Sequence, residues 1–328
     1  MRRRSFIRFI GFGAFAGPFI ARAQPPAKVY RIGFLRSVSA SARSSTIRIE
    51  GLRAGLRDLG YIEGRNIVIE PRWAEGNYDR LPELAAELVR LNVDVIVTSG
   101  TPATLAAKQA TSTIPIVVAA VGDAVAAGIV GSLARPGGNI TGTSFFSPEL
   151  MSKRLELLKE ALPGATRMAF LQNSANSGAR ADYQAMETAA KALKVDLRSV
   201  PVAGLAGFGR AFAAMAEQQV NGVVIQEDSL LNANAKAVAD LAAQRRLPAI
   251  AGIEFAEAGG LIGYGVDFRE LFRRAAYFVD RILKGAKPGD LPMEQPTKFE
   301  LIVNGKAGTA LGIVLPRAVL QRADRIIE

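Results

Sequence analysis

The sequence predicts an α/β protein built as two doubly wound, Rossmann-like lobes joined by a hinge. Three observations lead there. Short apolar runs alternate with amphipathic segments of helical spacing along most of the chain. That alternation restarts near Ser144–Glu149 with a second complete series. The 328 residues also exceed the roughly 100–200 of a single domain.

The elements follow in order. Val29–Leu35 reads as a buried strand, and Thr46–Leu59 as a helix with Ile49, Leu52, Leu56 and Leu59 on one face. Gly60 ends that helix. Asn66–Trp73 is a second strand, and Asp79 is expected to cap a helix over Arg80–Leu91. Val93–Thr98 is a strand, Pro102–Ala110 a helix, and Ile116–Ala120 a strand. A loop with a short helix leads to an extended Asn139–Ser144.

The second series reads as helix Glu149–Ala161, strand Arg167–Gln172, helix Ala179–Leu193, strand Val195–Val200 and helix Phe208–Gln218. Strand Gly222–Gln226, helix Asn232–Arg245 and short strands at Pro248–Gly252 and Leu261–Tyr264 follow. Phe268–Leu283 is a long helix, Phe299–Val303 a strand, and the tail is expected to end in a helix near Arg317–Ile327. The expected N-terminal lobe is 27–144 plus about 266–290. The expected C-terminal lobe is 145–265 plus about 296–328. Several crossings between two lobes make a hinge and a cleft.

Residues 1–23 read as an export signal. Arg2, Arg3, Arg4 and Arg8 precede a short apolar run, and Ala21-Arg22-Ala23 supplies an A-x-A cleavage site before Gln24. Arg3-Arg4-Ser5-Phe6-Ile7 fits a twin-arginine pattern. The chain has no cysteine, so it has no lipobox cysteine for an N-terminal lipid anchor. The mature protein is expected to be soluble and periplasmic.

Composition removes many chemistries. With no histidine and no cysteine, Ser-His-Asp triads, Cys-His pairs and His-liganded metal sites are all excluded. No catalytic residue, metal site or cofactor is expected. Net charge is +11, but five of the 41 basic residues lie in the leader, leaving 36 basic against 30 acidic. No dense basic tract remains, so nucleic acid is not an expected partner. The nicotinamide fingerprint is missing after the first strand, and no Walker loop appears.

In open α/β sheets, ligands meet the carboxyl ends of strands. The residues there are small and polar: Ser37 and Ser39 after the first strand, then Ser99, Gly100, Thr101 and Thr104, then Asp123. In the second series they are Asn173, Ser174 and Asn176, then Asp228 and Ser229, with Tyr264 at the last strand. All are candidate ligand-binding residues. Ser99-Gly100-Thr101-Pro102 opens a helix whose free N–H groups suit a carboxylate. Asp123 and Asp228 are candidates for a ligand ammonium group, and Arg36 for a carboxylate. Tyr264 and Phe145 are candidates for stacking.

Six stretches carry a family resemblance. They are Gly60-Tyr61-Ile62-Glu63-Gly64, Arg72-Trp73-Ala74-Glu75-Gly76, Ser99-Gly100-Thr101-Pro102-Ala103, Ala134-Arg135-Pro136-Gly137-Gly138-Asn139-Ile140-Thr141-Gly142, Glu254-Phe255-Ala256-Glu257-Ala258-Gly259-Gly260 and Pro296-Thr297-Lys298-Phe299-Glu300-Leu301. On these the chain resembles ABC-transporter substrate-binding proteins of the tryptophan-binding (TrpX-like) group. The resemblance implies a type I periplasmic-binding fold, capture of a small solute (an amino acid or related carboxylate) by closure of the two lobes, and delivery to an inner-membrane permease by a monomer. The chain departs from the group at Asn173-Ser174-Ala175-Asn176, Gln226-Glu227-Asp228-Ser229 and Gly263-Tyr264-Gly265. Two other readings stay open from the residues alone. One is an exported hydrolase using Glu227, Asp228 and Glu254; the other is a periplasmic ligand sensor for a membrane kinase.

Overall fold

The computed structural model describes residues 28–328, so the export signal expected at 1–23 lies outside the described residues. Two sheets organise the chain. The first is all parallel, in the order β2 (Ile67–Trp73), β1 (Tyr30–Arg36), β3 (Val95–Ser99), β4 (Ile116–Val121), β5 (Ile140–Ser144). Helices α1 (Arg43–Asp58), α2 (Leu81–Arg90) and α3 (Thr101–Ala110) connect its strands. The second sheet runs β12 (Arg325–Ile327), β11 (Glu300–Asn304), β10 (Ile262–Gly265), β9 (Ala249–Ala251), β8 (Gly222–Ile225), β6 (Arg167–Asn173), β7 (Asp196–Val202). Only its β10–β11 pair is antiparallel.

The helices of the second series are α4 (Ser147–Ala161), α5 (Ala179–Leu193), α6 (Phe208–Glu217), α7 (Ser229–Ala233), α8 (Ala235–Gln244) and α9 (Ile253–Glu257). Next come α10 (Phe268–Leu283), α11 (Gly305–Leu311) and α12 (Arg317–Arg322). The parallel strands are buried on both faces and accordingly read as continuous apolar runs.

The chain leaves the first sheet after β5, but α10 returns to it. Phe272, Ala275, Ala276, Phe278 and Val279 join one core with Ile32 and Phe34 of β1 and Leu52 and Leu56 of α1. Gly51 and Gly55 let α1 approach α10 closely: a Cβ at Gly51 would stand 2.5 Å from the Arg269 carbonyl oxygen. Strand β11 then rejoins the second sheet. Three segments therefore pass between the lobes, which fits a hinge.

Several local expectations need correction. Asp79 caps nothing: Asn77 accepts from the Asp79 N–H at 3.1 Å and opens a short 3-10 turn, Tyr78–Arg80, ahead of α2. The short helix expected after β4 is a run of turns over 124–128. Asp123 stabilises it, its Oδ1 accepting from Val125 N–H at 3.0 Å and Ala126 N–H at 2.9 Å. The single helix expected over 232–245 starts earlier, because Asp228 caps α7, and is broken at Asn234 into α7 and α8. Helices α9 and α11 were not expected. The tail helix stops at Arg322, where Asp324 exchanges bonds with the Leu301 backbone and turns the end into β12.

Candidate functional site

Strand order places the site. In the first sheet the order reverses direction between β1 and β3, and in the second between β6 and β8. A crevice opens at the carboxyl ends of such strand pairs. Arg36 ends β1 and donates to Ser99 Oγ at the end of β3. Asn173 ends β6 and donates through Nδ2 to Asp228 Oδ1, just past β8, at 3.1 Å. Both crevices face one cavity of about 300 Å³, at the small end of the ~300–1,000 Å³ usual for small-molecule sites.

The first lobe contributes the start of α3. Gly100 is the N-cap, with φ of +81° and no side-chain cap, so the first-turn N–H groups and the helix dipole are left for the cavity. A Cβ at Gly100 would come within 3.2 Å of Ser229 Oγ in the other lobe. Thr101, Pro102, Leu105, Asp123 and Arg48 also line this wall. The Arg48 side chain is buried, its guanidinium 4.4 Å over the Phe268 ring, and its Nη1 has no protein partner. Its Nη2 stands 3.5 Å from Glu254 of the second lobe.

The second lobe contributes Asn176, Ser177, Gly178, Asp182, Glu227, Asp228, Ser229 and Asn232. Asp228 is fully engaged. Its Oδ1 accepts from Asn173 and from the Leu230 N–H at 2.9 Å, capping α7, while its Oδ2 accepts from Asn176 at 3.0 Å. The Tyr78 hydroxyl of the first lobe donates to it at 3.1 Å. Burial raises the Asp228 pKa, and these bonds pull it back. Glu227 is likewise held, by Arg154 and Asn232. Arg154 is itself completely buried, donating to the carbonyls of Tyr264 at 2.8 Å and Ile225 at 3.0 Å.

Asp182 differs. It is buried, accepts from Gln226 Nε2 at 3.0 Å through Oδ2, and its pKa is raised to about 6, chiefly by burial. It is a carboxyl group whose charge the protein only partly compensates.

Of the residues expected at the site, the cavity wall includes Ser99, Gly100, Thr101, Asp123, Asn176, Asp228 and Ser229. Asp228 was expected to be free for a ligand ammonium; its oxygens serve protein donors instead. The others lie off the wall. Thr104 is buried behind it, its hydroxyl donating to the Gly100 carbonyl at 2.8 Å. Asn173 braces Asp228, and Ser174 bonds the Val202 carbonyl at 3.0 Å. Ser37 is buried without a partner for its hydroxyl, and Ser39 bonds Ser41 on the rim of a separate groove. Tyr264 stacks on Phe299, ring centroids 5.9 Å apart, in another hollow beside the hinge.

Arg48 and Asp182 were missed, and both carried a signal. Ser44, Arg48 and Leu52 share one face of α1, and Asp182, Met186 and Ala190 one face of α5. A charge at four-residue spacing within a buried helix face is costly unless it has a task.

Comparison with known proteins agrees with this fold. The family described as ABC transporter substrate binding protein matches residues 31–327. A tyrosine-binding protein of Clostridioides difficile (strain R20291) is 28% identical over 256 residues, 78% of this chain and 73% of that protein. The crystal structure of a conserved domain protein of Vibrio cholerae superposes with a TM-score of 0.85 at 30% identity, covering 91% of this chain and all of that one. An ABC domain of Streptococcus pneumoniae in complex with L-Trp gives 0.84 at 25% identity, covering 92% of this chain and 100% of that one. The type I binding fold is thereby shown.

Proposed function

Because the chain belongs to the ABC transporter substrate-binding proteins and is a solute-binding component, we propose that its solute is an amino acid, aromatic or otherwise apolar in its side chain. The observation that carries this reading is the pairing of opposite charges on one small cavity. The buried Arg48, with Nη1 unpartnered among the described residues, and the uncapped α3 N-terminus stand with the under-compensated Asp182 around a mixed wall that also carries Phe145, Phe268 and Leu105. A carboxylate is held by Arg48 and the first turn of α3, and an ammonium group by Asp182 on the facing wall. The side chain packs on Phe145, Phe268 and Leu105, which also line the cavity.

The tyrosine-binding and L-Trp-bound relatives support this class of solute. The protein works outside the cytoplasm after export through residues 1–23, as a monomer that hands its solute to a membrane permease. Among the described residues no helix is long and apolar enough to cross a membrane. A hydrolytic role is disfavoured because Glu227 and Asp228 already serve buried protein donors.

Thermal-shift screening of the purified protein against the twenty amino acids, small dicarboxylates and sugars tests the reading. L-Tyrosine, L-tryptophan or another apolar amino acid should raise the melting temperature, with about 2.7 kcal/mol gained at 100 times Kd. A flat response to every amino acid overturns it.

A further inference from the structure

The opening of α1 gathers an unusual set of buried hydrogen-bonding atoms. Between Arg36 and Arg48, four have no partner among the described residues: Arg36 Nε, Ser37 Oγ, Ser44 Oγ and Arg48 Nη1. Each of these residues is at least nine-tenths buried. Buried polar atoms are nearly always partnered, so four in one short segment call for a ligand.

The geometry brings three of them, on Arg36, Ser44 and Arg48, toward one another. Ser44 lies in the first turn of α1, and Arg48 is one turn on along the same face. Helical side chains lean toward the N-terminus, which carries the Arg48 guanidinium back toward Ser44. Arg36 stacks over Phe272 at 5.4 Å and Arg48 over Phe268 at 4.4 Å. These rings are four residues apart on α10, so the two guanidinium groups occupy successive turns of one helix face. Their proximity is felt electrostatically: burial, and then the like charge of Arg48, hold the Arg36 pKa well below its ordinary value.

Charge completes the case. Arg36 makes no ion pair among the described residues, and Arg48 has only Glu254 at 3.5 Å. The first turn of α1 contains no acid, and its N-cap, Ala42, offers no side-chain cap. Two buried cations, Arg48 in the second turn of α1 and Arg36 at the end of β1, thus have a single carboxylate, Glu254, within ion-pair range among the described residues.

We propose that the start of α1 is an oxyanion subsite, in which Arg36, Ser44 and Arg48 hold a carboxylate, sulfate or phosphate-type group. It adjoins the solute cavity, whose wall includes Arg48 and Ser99, the residue Arg36 bonds. Its existence does not depend on which amino acid the cavity takes.

Inorganic sulfate is the probe. Melting temperature is followed as sodium sulfate replaces sodium chloride at constant ionic strength, in wild type, Ser44→Ala and Arg36→Met. Wild type should show a saturable rise, which both variants lose, and Arg36→Met should melt above wild type in sulfate-free buffer. Sulfate also stabilises proteins generally, but that effect does not saturate and is shared by all three. A response that is equal in wild type and both variants, or that never saturates, overturns the subsite in favour of ordered water. Competition with L-tyrosine then identifies the source of the group. Displacement of L-tyrosine by sulfate means that the solute's own carboxylate fills the subsite, and simultaneous binding means that a free ion does. Because the sulfate arm contains no amino acid, failure of the amino-acid assignment leaves its result readable.

Discussion

Asp182 links stability, pH and binding in a single carboxyl group. Its pKa of about 6 in the folded protein compares with roughly 3.9 for an unfolded aspartate. Burial raises it, while the hydrogen bond from Gln226 and the charge of Arg154 lower it and Glu227 pushes the other way. Between these two pKa values the native state binds the proton that the unfolded state has lost. Stability therefore declines as pH rises from about 4 to 6, by about 3 kcal/mol for a two-unit shift. Asp182→Asn should abolish that decline and make the protein more stable than wild type at pH 7, as urea denaturation at pH 4.5 and 7.5 would show. The same variant should bind its solute far more weakly, since the ammonium loses its counter-charge. In wild type, affinity should climb as pH passes through about 6. Calorimetry giving Asp182→Asn the wild-type affinity would remove this residue from the site.

The elements show how much could be read from the chain and why the remainder could not. Long elements announced themselves: α5 and α10 run over the very residues their 3.6-residue periodicity marks, because an amphipathic face repeats several times there. The five-residue α9 and seven-residue α11 span too few turns for a period to emerge. Their existence depends on tertiary packing, as when Ile253 and Ala256 of α9 meet Ile302 of β11. The early start of α7 is also tertiary, following from an Asp228 cap tied across the cleft to Tyr78. On the cavity wall, loop residues at strand ends were visible, whereas Arg48 and Asp182 sat inside helices, where their one signal was a charge in line with buried residues at four-residue spacing. The close contact of α1 with α10 was equally hidden, since glycine within a helix reads as a defect. Gly51→Ala should destabilise the protein by about 1–3 kcal/mol, because its methyl group meets the Arg269 carbonyl. Gly209→Ala in α6 has open space around it and should instead stabilise by about 0.5–1 kcal/mol. Chemical denaturation of the two variants side by side separates packing from helix propensity. Equal effects would show that α1 and α10 tolerate separation.

At the scale of the molecule, the question is what holds the lobes together around the cavity. The polar contacts across the cleft are few: Tyr78 to Asp228, Arg48 to Glu254, and the close approach of Gly100 to Ser229, beside the packing of the Tyr78 ring on the second lobe's core. A small set of this kind leaves opening accessible, as a carrier that must release its solute requires. In the proposed binding mode, a solute touching Arg48 and the α3 N-terminus on one side and Asp182 on the other adds its own contacts only when both walls are near. It therefore favours the closed arrangement by its differential affinity for it. Tyr78 is the most informative place to intervene, because its hydroxyl serves Asp228 only while the lobes are together. Asp228 keeps Asn173, Asn176 and the first-turn N–H groups of α7 when that hydroxyl is removed, so each lobe should stay intact. A hydrogen bond to a charged group is worth about 1.5–3 kcal/mol, so Tyr78→Phe should weaken solute binding roughly ten- to a hundredfold. Small-angle scattering should show a larger radius of gyration for the unliganded variant than for wild type, with convergence of the two at saturating solute. Unchanged affinity together with unchanged scattering would mean that the Tyr78–Asp228 bond contributes nothing to closure, and the apolar walls of the cleft would then have to hold the lobes together.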